Sequence, residues 1–130
     1  MSKKKITKIV GYLSEEIMEK YNLYEYKNKP IVQSLDLYVH IEKHISDFKS
    51  VDSFNYTVSN IDKIIKEPQF VFFEKDRNSL LYYKKLDENV CVVVKLRLRD
   101  NKDSYVASVY PVSEYKIQKM IEKSYIKEEF

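Results

Sequence analysis

The stretch Tyr38-Val39-His40-Ile41-Glu42-Lys43-His44 holds both histidines of the chain, four residues apart. That spacing puts the two imidazoles on one face of a helix, where they could form a metal clip or act singly as proton-transfer groups. A zinc site needs at least a third protein ligand, and the one cysteine, Cys91, sits in the apolar run VCVVV. Glu42 does not follow the first histidine directly, as the zinc-peptidase pattern requires. No metal is expected. Acid–base work is the chemistry that remains, because imidazole exchanges protons near neutral pH, and a positioned general acid or base typically contributes about 10²–10⁴-fold.

A second set of reactive types lies further on. In VCVVVKLRLR, one parity carries Cys91, Val93, Lys95, Arg97 and Arg99; in SYVASVYP, one parity carries Val106, Ser108 and Tyr110. If the loop DNKD closes a simple hairpin, Lys95 lies opposite Ser108, and Lys95, Arg97, Ser108 and Tyr110 share one face. Lys85 and Tyr83 join them across the loop DEN; a one-residue slip would bring Lys84 and Tyr82 instead. A serine and a tyrosine inside an otherwise apolar strand need partners or a purpose. Cations, a hydroxyl and tyrosine rings on one sheet face make a platform for phosphates and bases.

These groups need elements to hold them. Ile9, Val10, Tyr12 and Leu13, with Ile6 before them, suggest a short N-terminal strand. Ser14 followed by Glu15 and Glu16 predicts a capped helix to about Tyr21. Residues 22–33, with Asn28 and Pro30, read as irregular or as an edge strand. Ser34 is expected to cap a helix over 35–47 that carries both histidines. Taken at about 100° per residue, that helix gathers Leu37, Tyr38, Ile41, Ile45 and Phe48 into one arc of about 100°, with His44 about 20° and His40 about 60° outside it. His44 is thus the better structural candidate and His40 the better candidate for chemistry. A second helix, VSNIDKIIKEP, stops at Pro68. Four strand-like runs follow, QFVFFEK, SLLYYKKL, VCVVVKLRLR and SYVASVYP, joined by short polar loops. A last helix opens at Ser113 and runs toward Tyr125, with Tyr115, Met120, Ile121 and Tyr125 for packing. Helices first and a meander last predict an α+β domain spanning 1–130, with a four-stranded antiparallel sheet, helices on one face and the other face open.

Composition narrows the classes. Of 130 residues, 44% are hydrophobic and 33% charged, with a net charge of +3, a globular balance that permits a polyanionic partner without demanding one. Glycine occurs once, at Gly11, which excludes Gly-rich phosphate loops and dinucleotide-binding fingerprints. A single cysteine excludes a disulfide framework. No apolar run approaches membrane-spanning length, and the N-terminus is too broken for a secretory signal, so no membrane partner is expected and a cytoplasmic location is.

The succession of a HIEKH helix, a tyrosine-containing turn FNY, then IDKIIKEPQFV, NSLLYYKKL, the Val-rich strand and YVASVYPV resembles the phage-associated nuclease-like families of the Barnase–EndoU–Colicin–RelE superfamily. The resemblance runs from about Val39 to Val112, and its most specific pieces are HxxxH, IxxIIxxP and the terminal Ser/Thr-x-Tyr-Pro, here Ser108-Val109-Tyr110-Pro111. It implies a metal-independent ribonuclease on a four-stranded antiparallel sheet, without a cofactor, working as a toxin or phage effector with a neutralising protein partner. By position it suggests His40 or His44 as the acid–base histidine, Asn78 and Lys84 as site residues, and Ser108 and Tyr110 completing the constellation. Tyr56, Lys85, Lys95 and Arg97 would then contact RNA. Ile45 stands where the family usually has proline. The alternative is a catalytically silent module on the same fold that binds nucleic acid or protein.

Overall fold

The structure, a computed structural model, describes residues 7–99 and 102–128. Ile6 and the side chain of Tyr125, both expected to pack, lie outside the described residues. So do Asp100 and Asn101, the first two residues of the DNKD loop.

The chain runs β1 (Thr7–Tyr12), α1 (Glu15–Tyr21), β2 (Pro30–Ser34), α2 (Leu37–Ile41), a 3-10 segment (Glu42–Asp47), α3 (Val51–Ser59), α4 (Ile61–Lys66), β3 (Phe70–Glu74), β4 (Ser79–Lys85), β5 (Asn89–Lys95), β6 (Ser104–Pro111) and α5 (Glu114–Glu128). Local chemistry accounts for most boundaries. The hydroxyls of Ser14, Ser50 and Ser113 accept from the amides of Ile17, Ser53 and Lys116 and cap α1, α3 and α5. Asn22 and Asn78 take the left-handed conformation that ends a helical turn.

The sheet corrects the expected four-stranded antiparallel meander. It has six strands in the order β1-β2-β6-β5-β4-β3, and β2 runs parallel to β6 through Ile31↔Ser104 and Val32↔Tyr105. The last four strands do form the expected meander. Ile31 and Val32, both buried, carry the N-terminal β1–β2 pair onto the exposed edge of β6. No turn chemistry announces a pairing across so many residues, which is why hairpin signals miss it.

Helices also cover both faces. Val90, Val92, Val94, Val106 and Val109 pack with Ile17, Leu37, Ile41, Phe54 and Ile64 of α1–α4 on one face. On the other, Leu81, Tyr83 and Cys91 lie under Ile117 and Met120 of α5. The first five residues of β4 are therefore all buried, as expected for a strand covered on both sides.

Two helical expectations are also corrected. The histidine segment is not one helix. Its first turn follows Asp36 without a side-chain cap, the Ser34 hydroxyl being bonded to the Asp36 carboxylate, and it tightens to 3-10 at Glu42. FNY is not a turn but lies within α3, where Ser53, Phe54 and Thr57 face the core.

Gly11 marks where α4 meets β1. A Cβ there would stand 2.8 Å from Cγ2 of buried Ile65. Gly11→Ala is expected to cost about 1–3 kcal/mol by overpacking, read as a lower urea midpoint. An unchanged midpoint would show that α4 gives way freely.

Candidate active site

Register determines what shares the α5 face. Tyr83 pairs with Cys91 and Cys91 with Tyr110; Leu81 pairs with Val93 and Val93 with Ser108; Ser79 pairs with Lys95 and Lys95 with Tyr105. Three cross-strand rows therefore run over β4, β5 and β6. The pairing jumps between Val93↔Ser108 and Val94↔Val106, leaving Ala107 as a bulge. A bulge inserts one residue and reverses the parity beyond it. Val106 thus turns into the core and Tyr105 comes to the site face beside Lys95. The simple hairpin would have placed Lys95 opposite Ser108; the observed pairing is shifted by two residues, so Ser108 faces Val93, one row from Lys95.

At the far end of β6, Tyr110 is the hub. The His44 ring lies 6.2 Å from the Tyr110 ring, centroid to centroid, and the Lys116 ammonium of α5 stands 5.7 Å from the same ring. His44 reaches Tyr110 because β2 pairs with β6 only at Ser104 and Tyr105, so the outer edge of β6 beyond them is met by the histidine segment instead. Nδ1 of His44 faces Oδ2 of Asp47 at 3.3 Å. A carboxylate on one ring nitrogen fixes the tautomer and aims the other. The His44 side chain keeps 26% of its exposure against 67% for His40. His40 points into solvent, and its nearest charge is Asp36 at 3.8 Å.

Beneath Tyr110, a thiol and a second tyrosine are held within an apolar cluster. Cys91, fully buried, interacts with the hydroxyls of Tyr83 and Tyr110, and burial pushes its thiol up to about 11. Burial also raises Tyr110 and Tyr83 far above the usual phenol value. Tyr110 is therefore a neutral hydroxyl across the physiological range, able to donate a hydrogen bond but not to act as a base.

At the other end, the Arg97 guanidinium stacks 4.2 Å above the Tyr105 ring and its Nε donates to the Asp103 carbonyl at 2.9 Å. Lys95, Tyr105 and Arg97 form a cationic and aromatic end to the same face, with Ser108 between it and Tyr110.

Other candidates fall elsewhere. Lys84 lies on the opposite face from Ser108 and Tyr110 by register, and its ammonium donates to the Glu67 carbonyl. Tyr56 is exposed on α3 in the helical layer. Asn78 has a structural task, its amide donating to the Leu96 carbonyl at 2.9 Å and toward the Tyr26 hydroxyl at 3.4 Å. Lys85 shares the site face but sits at the end of β4, beside Asn89.

Three residues join the site without having been read from the sequence, and one of them, Tyr105, reaches it only through the bulge at Ala107. Asp47 lies three residues after His44 in HISD, a spacing that could have flagged it. Lys116 had no local signal, since only the packing of α5 brings it to Tyr110. Among the described residues, no three His, Cys, Asp or Glu side chains cluster as metal ligands, and no helix is long and apolar enough to cross a membrane.

The model of one protein family, described as phage-Barnase-EndoU-ColicinE5/D-RelE like nuclease 3, matches residues 7–119. No curated protein and no solved structure matches the chain.

Proposed function

The chain belongs to the phage-Barnase-EndoU-ColicinE5/D-RelE like nuclease 3 family, and we propose that it cleaves RNA by attack of the 2′-hydroxyl on the adjacent phosphate, without a metal. Nucleic acid is the substrate class of a nuclease; the choice of RNA, the mechanism and the residues are our proposal. The observation that carries it is the placement of His44, half-buried against Tyr110 and oriented by Asp47, with the Lys116 cation near the same Tyr110 ring.

In this scheme His44 takes the 2′-hydroxyl proton, a transfer suited to an imidazole, as the 2′-oxygen bonds to phosphorus; the P–O5′ bond breaks, and the leaving 5′-oxygen takes its proton from water. Lys116 meets the negative charge that develops on the phosphate, and the Ser108 hydroxyl donates a hydrogen bond to it. Tyr110 supplies a flat ring that positions both His44 and a base. Lys95 and Arg97, with the Tyr105 ring, hold the strand further along β6. His40, Lys84 and Tyr56 take no part. A cytoplasmic effector role, with a protein that neutralises it, is the setting this chemistry fits.

The test is incubation of the purified protein with total RNA in EDTA, beside a His44→Gln variant of equal urea midpoint. Cleavage by the wild type alone, leaving cyclic-phosphate ends, is the expected result. Cleavage that EDTA abolishes would overturn the metal-free mechanism, and cleavage of DNA alone would overturn the substrate.

A further inference from the structure

Three of the cavities on the described surface differ in charge. One of about 540 Å³ beside β3 mixes lysines and Arg77 with Glu74 and Asp76. One of about 270 Å³ under α5 includes Glu114. The third, of about 430 Å³ beyond the end of β5, is lined by Arg97, Arg99 and Lys102 together with Tyr26, Asn78 and two leucines, and none of these described lining residues is acidic. Three cations around one hollow with no carboxylate in its described lining repel each other, and an anion relieves that repulsion.

The lining is also built to donate. The Tyr26 oxygen receives the Asn78 amide at 3.4 Å, which leaves its hydroxyl proton to donate inward. Arg97 belongs both to this hollow and to the site face. Its backbone amide is bonded to the Ser104 hydroxyl, its Nε to the Asp103 carbonyl and its guanidinium plane rests on Tyr105. Those contacts fix the guanidinium but leave its outer nitrogens for a phosphate, which arginine holds by paired hydrogen bonds.

We propose that this cavity is a phosphate subsite for the RNA strand outside the cleavage site, with Arg97 as the hinge between the two and Arg99 and Lys102 as its anchors. The proposal rests on the ribonuclease reading and adds a substrate property, a minimum length. Tyr105 and Tyr110 are five residues apart along β6, so the cavity end and the His44 end are separated by about 15 Å. A dinucleotide cannot reach both. A longer single strand can, and its backbone would follow Lys95 and Ser108 between them.

The measurement is binding of fluorescent 2′-O-methyl oligouridylates, which keep the phosphates but lack the attacking hydroxyl, titrated against salt. Arg99→Gln/Lys102→Gln is compared with wild type and with Lys63→Gln/Lys66→Gln, a pair of exposed lysines on α4 that removes the same charge from the helical layer. For a long oligonucleotide, the cavity pair is expected to flatten the log–log salt dependence by about 1.4, or 0.7 per lost phosphate contact on a single strand. The α4 pair should leave it unchanged, and the dinucleotide should bind wild type and cavity variant alike. Equal slopes for the two double variants would overturn the subsite while leaving the ribonuclease reading intact. A wild type that binds no oligonucleotide at low salt would instead sink the ribonuclease reading, and the subsite with it.

Discussion

Replacing His44 by glutamine is expected to lower RNA cleavage by about 10²–10⁴-fold, equivalent to roughly 3–5 kcal/mol of transition-state stabilisation. The same change at His40 should leave the rate within about twofold, because an exposed side chain with a distant carboxylate is not held in any reacting geometry. Glutamine preserves most of the ring's bulk against Tyr110, so an unchanged urea midpoint separates lost chemistry from lost packing. Asp47→Asn should produce an intermediate loss, since an amide beside Nδ1 no longer fixes the tautomer. Lys84→Ala should not reduce the chemical step, its ammonium being committed to the Glu67 carbonyl on the far face. If His40 proves essential and His44 dispensable, the site built on Tyr110 is wrong.

Stability should fall steeply in mild alkali. Cys91 is raised from its ordinary value of 9.0 to about 11 in the folded protein. A group whose folded value is raised contributes fully below its unfolded value and loses that contribution as pH climbs to the folded one. Between pH 9 and about 11 the unfolded chain releases the thiol proton while the folded chain keeps it, and each pH unit costs about 1.4 kcal/mol. The thiol alone therefore removes roughly 2–3 kcal/mol. Tyr82, Tyr83 and Tyr110, all raised by burial from 10.0, act in the same direction and steepen the loss above pH 10. The check is the urea midpoint across this range for wild type and Cys91→Ala. The variant should start lower but stay flat from pH 9 to 10, where wild type already declines. A wild-type midpoint that holds to pH 11 would mean that the cluster beneath α5 admits water.

Much of the fold is written locally. The caps at Ser14 and Ser113, the stop before Pro68 and the four C-terminal strands follow from side-chain chemistry within a few residues, and each is present. The histidine segment was harder. Its apolar residues fit a single helix, but the tightening to 3-10 at Glu42 changes the angle per residue; the wheel still ranks His44 as the more buried histidine, which is what the exposures give. Ala107 gives no sequence sign of a bulge, because the extra residue is placed by the packing of Val106 and Val109 into the core on either side of it.

By itself the sequence determined the residue types: two histidines, twelve tyrosines, a basic run and a β-rich second half, enough for the resemblance to a nuclease family. Tertiary structure decided which of them meet. The docking of β2 on β6, parallel and confined to two residue pairs, leaves the rest of that edge to the histidine segment and so delivers His44 to Tyr110. The packing of α5 across the sheet delivers Lys116. Both depend on surfaces buried between residues far apart in the chain, and burial of that kind carries no local signature.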